Sequence, residues 1–132
     1  MMDWLRELAA VAGGGALGAT SRHLLSQAVY QWLGRGFPWG TLVVNVVGSL
    51  ILGAVYVLLI ERTTTNHDAW RLLIVVGFLG ALTTFSTFSM DTLALLEQGN
   101  PLRAGANVLA NVGVCIGAAW LGLTACRYLT SN

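Results

Sequence analysis

Long apolar stretches dominate the chain, and four of them approach the length of a membrane-spanning helix. They cover residues 4–32, 40–60, 70–96 and 101–128. A helix needs about 20 mostly apolar residues to cross the hydrocarbon core of a bilayer. Turn-forming sequence around Pro38, the polar stretch from Glu61 to Asp68, and Gln98 to Pro101 separate them. The pattern predicts an all-α membrane protein with a single domain of four transmembrane helices.

The composition agrees with a membrane protein and excludes several soluble classes. Of the 132 residues, 55% are hydrophobic and only 10% are charged, whereas about a quarter of a soluble domain is charged. The formal net charge is +1, which leaves no basic patch for nucleic acid. We therefore expect a lipid bilayer around the protein and no nucleic-acid partner.

The third apolar stretch has a middle that is poorly suited to a regular helix. Between Gly77 and Ser89 it combines two glycines with threonine and serine hydroxyls, and these residues favour caps and turns over helix interiors. Irregular backbone at membrane depth is tolerated only where it is buried in protein or lines a wet cavity. The sequence therefore predicts a break in the third span, and function is expected there.

Arginines are almost evenly divided between the two predicted sides of the membrane. Both termini and the middle loop share one side with four arginines, and three face the other. Listed in that order, they are Arg6, Arg62, Arg71 and Arg127, then Arg22, Arg35 and Arg103. Because the positive-inside rule cannot choose an orientation, the sequence predicts dual topology and an antiparallel homodimer, symmetric dimers being the commonest assembly.

Polar residues form two rows at helical spacing within the apolar stretches. Thr41, Asn45 and Ser49 share one face of the second span. Asn107, Asn111 and Cys115 do the same in the fourth. Each side chain alone could simply bond a neighbouring helix, for about 1 kcal/mol. Two rows beside a hydroxyl-rich break favour a polar route through the membrane.

The chemistry of these residues suits a small anion better than a cation. No carboxylate stands in the middle of a span, and amides and hydroxyls offer hydrogen-bond donors. Phe85 and Phe88 are spaced i, i+3 beside the hydroxyls, and the edge of an aromatic ring is positive, although the two rings could also serve packing alone. Arg22 could either snorkel to the interface or attract anions into a vestibule.

Catalysis is not expected from this sequence. It has no credible nucleophile–base pair or metal-ligand cluster, and the glycines at 77 and 80 lack the lysine of a phosphate-binding loop. We therefore predict that the protein is not an enzyme.

Three blocks of the sequence resemble the CrcB/Fluc family of small fluoride channels. They are residues 13–22 (GGGALGATSR), 40–45 (GTLVVN) and 77–89 (GFLGALTTFSTFS), and they occur in the family's order and spacing. The third block is the most specific, because a Thr-Thr-Phe-Ser-Thr-Phe run after a glycine pair is not typical of another four-span family. Cys115 departs from the serine that relatives often have in the fourth span.

The resemblance implies a dual-topology homodimer with two pores, through which fluoride leaves the cytoplasm passively across the bacterial plasma membrane. Phenylalanines matching Phe85 and Phe88 line the pores, and Asn45, Ser86 and Thr87 match residues of the polar route. Together with the polar rows, this predicts a fluoride route that includes Thr41, Asn45, Phe85, Ser86, Thr87, Phe88, Asn111 and Cys115.

The resemblance also implies a bound cation and a role for the arginine. A sodium ion at the dimer centre would be held by the main-chain carbonyls of Gly80 and Thr83, where it would offset exposed carbonyl dipoles. The arginine matching Arg22 lies near the vestibule mouth.

Two other functions stay open at this point. A small proton-coupled drug or ion exporter also has four spans and dual topology, but it depends on a glutamate embedded in the first span, and residues 14–19 contain none. An accessory membrane protein without transport would have no need of the hydroxyl and phenylalanine cluster.

Overall fold

A computed structural model describes residues 3–62 and 68–131, which are helical apart from short connections. The four helices in these residues are α1 (Asp3–Leu33), α2 (Trp39–Glu61), α3 (Asp68–Glu97) and α4 (Pro101–Thr130). The predicted all-α class is thus confirmed for this part of the chain. Most of the predicted loop between Glu61 and Asp68 lies outside the described residues.

Length and composition distinguish α1 from the other three helices. Within the described residues, α2, α3 and α4 are each long and apolar enough to cross a membrane. Although α1 has 31 residues, it carries Asp3, Arg6, Glu7 and Arg22 and is not one of these three. That α1 also crosses the bilayer stays a prediction.

Helix α3 has two segments joined by two extended residues. The first segment covers residues 68–82 and the second is Phe85–Glu97. Between them, Thr83 has φ −83° and ψ 159°, and Thr84 has φ −155° and ψ 114°. Branched hydroxyl residues compete with helical backbone bonding, so the sequence favours an interruption here.

Glycines allow the helices within one chain to approach closely. A Cβ atom at Gly14 would overlap the Leu73 carbonyl oxygen, and one at Gly18 would overlap the carbonyl oxygen of Phe78. These two glycines therefore seat α1 against the first segment of α3. A Cβ atom at Gly113 would meet no atom within 4 Å, so that part of α4 stays open.

Helices α2 and α4 run side by side in the same direction. Arg103, near the start of α4, donates to the Gly36 carbonyl at 3.1 Å in the turn before α2. At the opposite end, Arg127 pairs with Glu61, its Nε lying 3.0 Å from Oε2. The same direction brings the polar rows of the two helices into register.

The described residues bury polar side chains beside apolar ones and expose large apolar side chains. The buried polar residues among them are Thr41, Thr84, Asn107 and Asn111. By contrast, Leu102 is 88% exposed and Leu109 is 76% exposed. Such an apolar exterior fits a protein surrounded by lipid. Cys115 and Cys126, both on α4, are free cysteines.

Candidate functional site: a polar groove beside the interruption of α3

A groove of about 410 Å³ lies between α2, α3 and α4 at the interruption of α3. It is lined by seven of the predicted site residues: Asn45, Gly80, Thr83, Phe85, Phe88, Asn111 and Cys115. Thr41, Ser86, Thr87 and Arg22 lie outside this lining. No residue of the described chain that lines the groove is acidic.

Two residues of each polar row predicted from the sequence line this groove: Asn45 and Ser49 on α2, and Asn111 and Cys115 on α4. Asn45 Nδ2 donates to Asn111 Oδ1 at 2.9 Å. The two rows are therefore joined by a hydrogen bond between two membrane-compatible helices.

The side chain of Asn45 pairs with the backbone of Thr84 in the interruption. The Thr84 N–H donates to Asn45 Oδ1 at 2.8 Å, and Asn45 Nδ2 donates to the Thr84 carbonyl at 3.1 Å. A buried backbone group without a partner is costly. One amide side chain thus satisfies both polar backbone groups of an extended residue inside a helical bundle.

Thr84 also begins the second segment of α3 as its N-cap. Its hydroxyl accepts from the Thr87 N–H at 3.2 Å and donates to Thr87 Oγ1 at 2.9 Å. Ser86 Oγ lies 3.3 Å from Thr84 Oγ1. The hydroxyls of Ser86 and Thr87, both predicted to line the route, are therefore gathered around the cap. The sequence pointed to this cluster, but Thr84 was not among the predicted site residues. The available signal was its position three residues before Thr87, because an N-cap side chain can bond to the N–H three residues later.

Phe85 and Phe88 meet edge to face on the first turn of that segment. Their ring centroids are 5.1 Å apart and their planes are inclined by 63°, a preferred aromatic geometry. Phe88 is 7% exposed, whereas Phe85 is 77% exposed. One chain therefore encloses the inner ring and leaves the outer ring uncovered.

A second depression, of about 270 Å³, opens at the end where α1 turns into α2. Arg35 and Arg103 both line it, together with Asp91. Arg35 lies over the ring of Tyr30, with its guanidinium carbon 4.9 Å from the ring centroid. The buried Thr41 donates its hydroxyl to Asp91 Oδ2 at 2.6 Å.

Arg22 reaches the interruption of α3. Its Nη1 donates to the Thr83 carbonyl at 3.4 Å, and the residue is half-buried. The guanidinium is thus directed at the middle of α3. The sequence had suggested either the membrane interface or a vestibule for Arg22, and neither suggestion included this contact.

The carbonyl groups at the end of the first α3 segment have the chemistry of a site for a hard cation. In a continuous helix the Thr84 N–H would donate to the Gly80 carbonyl, but it is directed to Asn45 Oδ1. Carbonyl oxygens suit hard cations, and the C-terminal end of a helix is partly negative. Gly80 and Thr83 therefore fit a main-chain sodium site in ligand type, although Arg22 also donates to the Thr83 carbonyl.

The fold and the groove define a multi-pass helical membrane protein with its polar side chains facing inward. The family model described as "CrcB-like protein, Camphor Resistance (CrcB)" matches residues 9–123. Because this match covers most of the chain, the protein belongs to the CrcB family, and the resemblance found in the sequence is confirmed.

Proteins named "Fluoride-specific ion channel FluC" are similar over nearly the whole chain. The one from Vibrio campbellii is 53% identical over 92% of this chain and 94% of its own length. That of Magnetococcus marinus is 50% identical over 93% of this chain and 99% of its own. For Pseudoalteromonas translucida the identity is 54%, over 86% of this chain and 93% of the relative.

Proposed function

We propose that this protein is a fluoride-selective passive ion channel that exports fluoride from the cytoplasm and protects the cell against fluoride toxicity. The observation that carries the proposal is its similarity, at about 50% identity over most of both chains, to proteins named as fluoride-specific ion channels. The groove adds physical support, since its lining offers amides, a thiol and aromatic edges and has no acidic residue among the described positions. A carboxylate there would repel an anion.

The polar rows supply the route along which fluoride moves. Fluoride enters past Arg35 and Arg103, whose two guanidinium groups outnumber the one carboxylate of this depression, Asp91. It then passes Thr41 and continues between Asn45 and Asn111 towards Cys115. Successive residues of each row are four positions apart, a rise of about 6 Å, so the ion moves between neighbouring polar groups in short steps. Sites that bind weakly and release readily suit conduction.

Aromatic rings line the groove at the interruption of α3, and the hydroxyls of Ser86 and Thr87 lie next to them in the chain. Phe88 presents its ring inside the groove, where a positive edge replaces part of the hydration of a small hard anion. Ser86 and Thr87 supply hydroxyl donors beside it. Hydrogen-bond donors held in fixed positions favour fluoride over larger halides, because the smaller anion approaches each donor more closely.

A second copy of the chain, in antiparallel orientation, covers the open side of the groove. Phe85 is 77% exposed in one chain, and a Cβ at Gly113 or Gly117 would meet nothing within 4 Å. Small residues of this kind permit close helix contact in membranes. The even arginine distribution supports dual topology, so the dimer has two pores with aromatic rings from both copies.

The Gly80 and Thr83 carbonyls would hold a sodium ion at the centre of this dimer, and its charge would offset their dipoles and raise the local positive potential. With α1 as a fourth span, the protein is a multi-pass component of the bacterial plasma (inner) membrane. Its partners are fluoride, a second copy of itself and the bilayer.

Fluoride efflux from liposomes tests the proposal. The purified protein is reconstituted with internal fluoride and chloride, and valinomycin with potassium clamps the voltage. Fast fluoride release with chloride retained, unaffected by an imposed pH gradient, is expected. Release that requires the pH gradient indicates a proton-coupled exporter, and no release from a folded dimer indicates an accessory protein; either result contradicts the channel.

A further inference from the structure

The geometry points to Asn107 as a positioning residue that keeps the fluoride affinity of the route low. It belongs to a ring of hydrogen bonds, closed through the α3 backbone between Thr84 and Phe88, in which Asn45 and Asn111 use all their amide donors. This inference rests on the proposed function. It concerns a side chain that is fully buried, with 0% exposure, and that does not line the groove.

The backbone of Thr84 determines how the asparagine amides of this ring are oriented, that is, which side of each amide donates and which accepts. Its N–H requires an acceptor and finds Asn45 Oδ1 at 2.8 Å. The amide of Asn45 is thereby oriented with its nitrogen towards the Thr84 carbonyl, at 3.1 Å, and towards Asn111 Oδ1, at 2.9 Å. Asn111 must in turn present its oxygen to Asn45 and its nitrogen to the other side.

Asn107 accepts hydrogen bonds from that nitrogen and donates to the next residue of the ring. Asn111 Nδ2 donates to Asn107 Oδ1 at 3.0 Å and to the Asn107 carbonyl at 3.1 Å. Asn107 Nδ2 donates to Thr92 Oγ1 at 2.9 Å, and the Thr92 hydroxyl donates to the Phe88 carbonyl at 2.8 Å. The ring thus starts at the interruption of α3 and returns to the turn that carries the inner phenylalanine.

The number of amide N–H donors shows how this ring affects fluoride binding. An asparagine amide has two N–H groups. Both of those on Asn45 are taken, by the Thr84 carbonyl and Asn111, and both on Asn111 are taken by Asn107. An arriving fluoride must therefore displace a protein acceptor, which weakens its binding and speeds its release.

Removing Asn107 should make fluoride bind more tightly and leave more slowly. The variant Asn107→Leu keeps the approximate volume but deletes Oδ1, so that one Asn111 N–H loses its acceptor and fluoride becomes its best partner. Because a hydrogen bond to a charged group is comparatively strong, we expect the half-saturating fluoride concentration to fall about tenfold and the maximal conductance to fall with it.

The test measures conductance against fluoride concentration in planar bilayers. Thr92→Val is the milder second variant, because it keeps the side-chain shape and leaves Asn107 Oδ1 in place for Asn111, while it removes the acceptor of Asn107 Nδ2 and the bond to the Phe88 carbonyl; its half-saturating concentration should shift in the same direction by a smaller factor. If the two residues act through one ring, the double variant should show less than the product of the two single effects. Thr124→Val is the matched control, since that hydroxyl bonds only to carbonyls of its own helix, at 2.8 and 3.2 Å.

A purely structural role for Asn107 would lower the number of active channels without changing the concentration dependence of each one. Unchanged half-saturation in both Asn107→Leu and Thr92→Val overturns the inference, and Thr92→Val decides alone if Asn107→Leu does not fold. Absence of fluoride current in the unaltered protein would instead contradict the proposed function, so the two failures are distinguishable.

Discussion

Asn45 and Thr84 form two reciprocal hydrogen bonds, in which the Asn45 side-chain amide replaces the helical partners of the Thr84 N–H and carbonyl. Asn45 accepts from the Thr84 N–H at 2.8 Å and donates to the Thr84 carbonyl at 3.1 Å. Because Thr84 is 8% exposed, its backbone groups have little access to water. The pair therefore stabilises the interruption of α3 and also positions an amide in the groove.

Asn45→Asp should abolish fluoride flux and weaken the fold. An ionised aspartate still accepts from the Thr84 N–H, but it cannot donate to the Thr84 carbonyl or to Asn111, and its charge repels an anion. We expect at least a tenfold loss of flux and a loss of about 1–3 kcal/mol in stability, measured by efflux and by thermal unfolding in detergent. Asn100→Asp, in the turn before α4, is the control; flux through Asn45→Asp equal to that of the control would contradict the role of Asn45.

Phe88→Ile should impair conduction while leaving the dimer intact. Isoleucine keeps much of the bulk but removes the positive ring edge, so fluoride efflux should fall at least tenfold. Phe85→Ile should also reduce flux, because the exposed ring of Phe85 contacts the route of the second copy in the proposed dimer. Normal fluoride efflux from both variants, with dimers verified by size exclusion, would show that the aromatic edge plays no part.

The two entrance arginines should matter most at low ionic strength. Arg35→Gln with Arg103→Gln removes two positive charges from the depression that leads to Thr41, and exposed charges act over about a Debye length, roughly 10 Å at 0.1 M salt. Fluoride conductance should fall several-fold in dilute buffer and approach the unaltered value in concentrated inert salt. The double variant Glu61→Gln with Arg127→Gln is the control, since it removes an ion pair of zero net charge; equal effects in both double variants would exclude steering at this entrance.

Alanine substitutions at Gly15 and Gly18, on the same helix, should have different effects on the free energy of unfolding. A Cβ at Gly18 would overlap the Phe78 carbonyl, whereas one at Gly15 meets nothing within 4 Å. Gly18→Ala should cost about 1–3 kcal/mol by overpacking, and Gly15→Ala should be neutral or slightly stabilising. Unfolding in detergent measures both, and equal stability of the two variants would show that α1 does not pack on α3 through Gly18.

The sequence predicted the helical class and the two polar rows because both depend on local periodicity. Thr41, Asn45 and Ser49 share a face wherever that segment is helical, and the same holds for Asn107 and Asn111. Their spacing could not reveal that Asn45 faces Asn111, because this depends on how α2 and α4 pack.

Contacts made by long or buried side chains were harder to predict. Arg22 has a flexible stem, so its contact with the Thr83 carbonyl follows from the position of α1 against α3 and not from its neighbours in sequence. Gly14 and Gly18 have the spacing of a helix-contact motif, but only the packed structure shows that the helix they contact belongs to the same chain. Asn107 stood in the predicted row, and its link to Thr92 depends on the second segment of α3.

The reversal potential under a fluoride gradient tests the central claim most directly. The protein is placed in a planar bilayer with equal chloride on both sides and unequal fluoride, at one pH. A passive fluoride-selective channel predicts a current that reverses at the fluoride equilibrium potential, whichever way each dimer inserts. A reversal near zero, a reversal that follows a proton gradient, or no current from folded dimers would contradict the account.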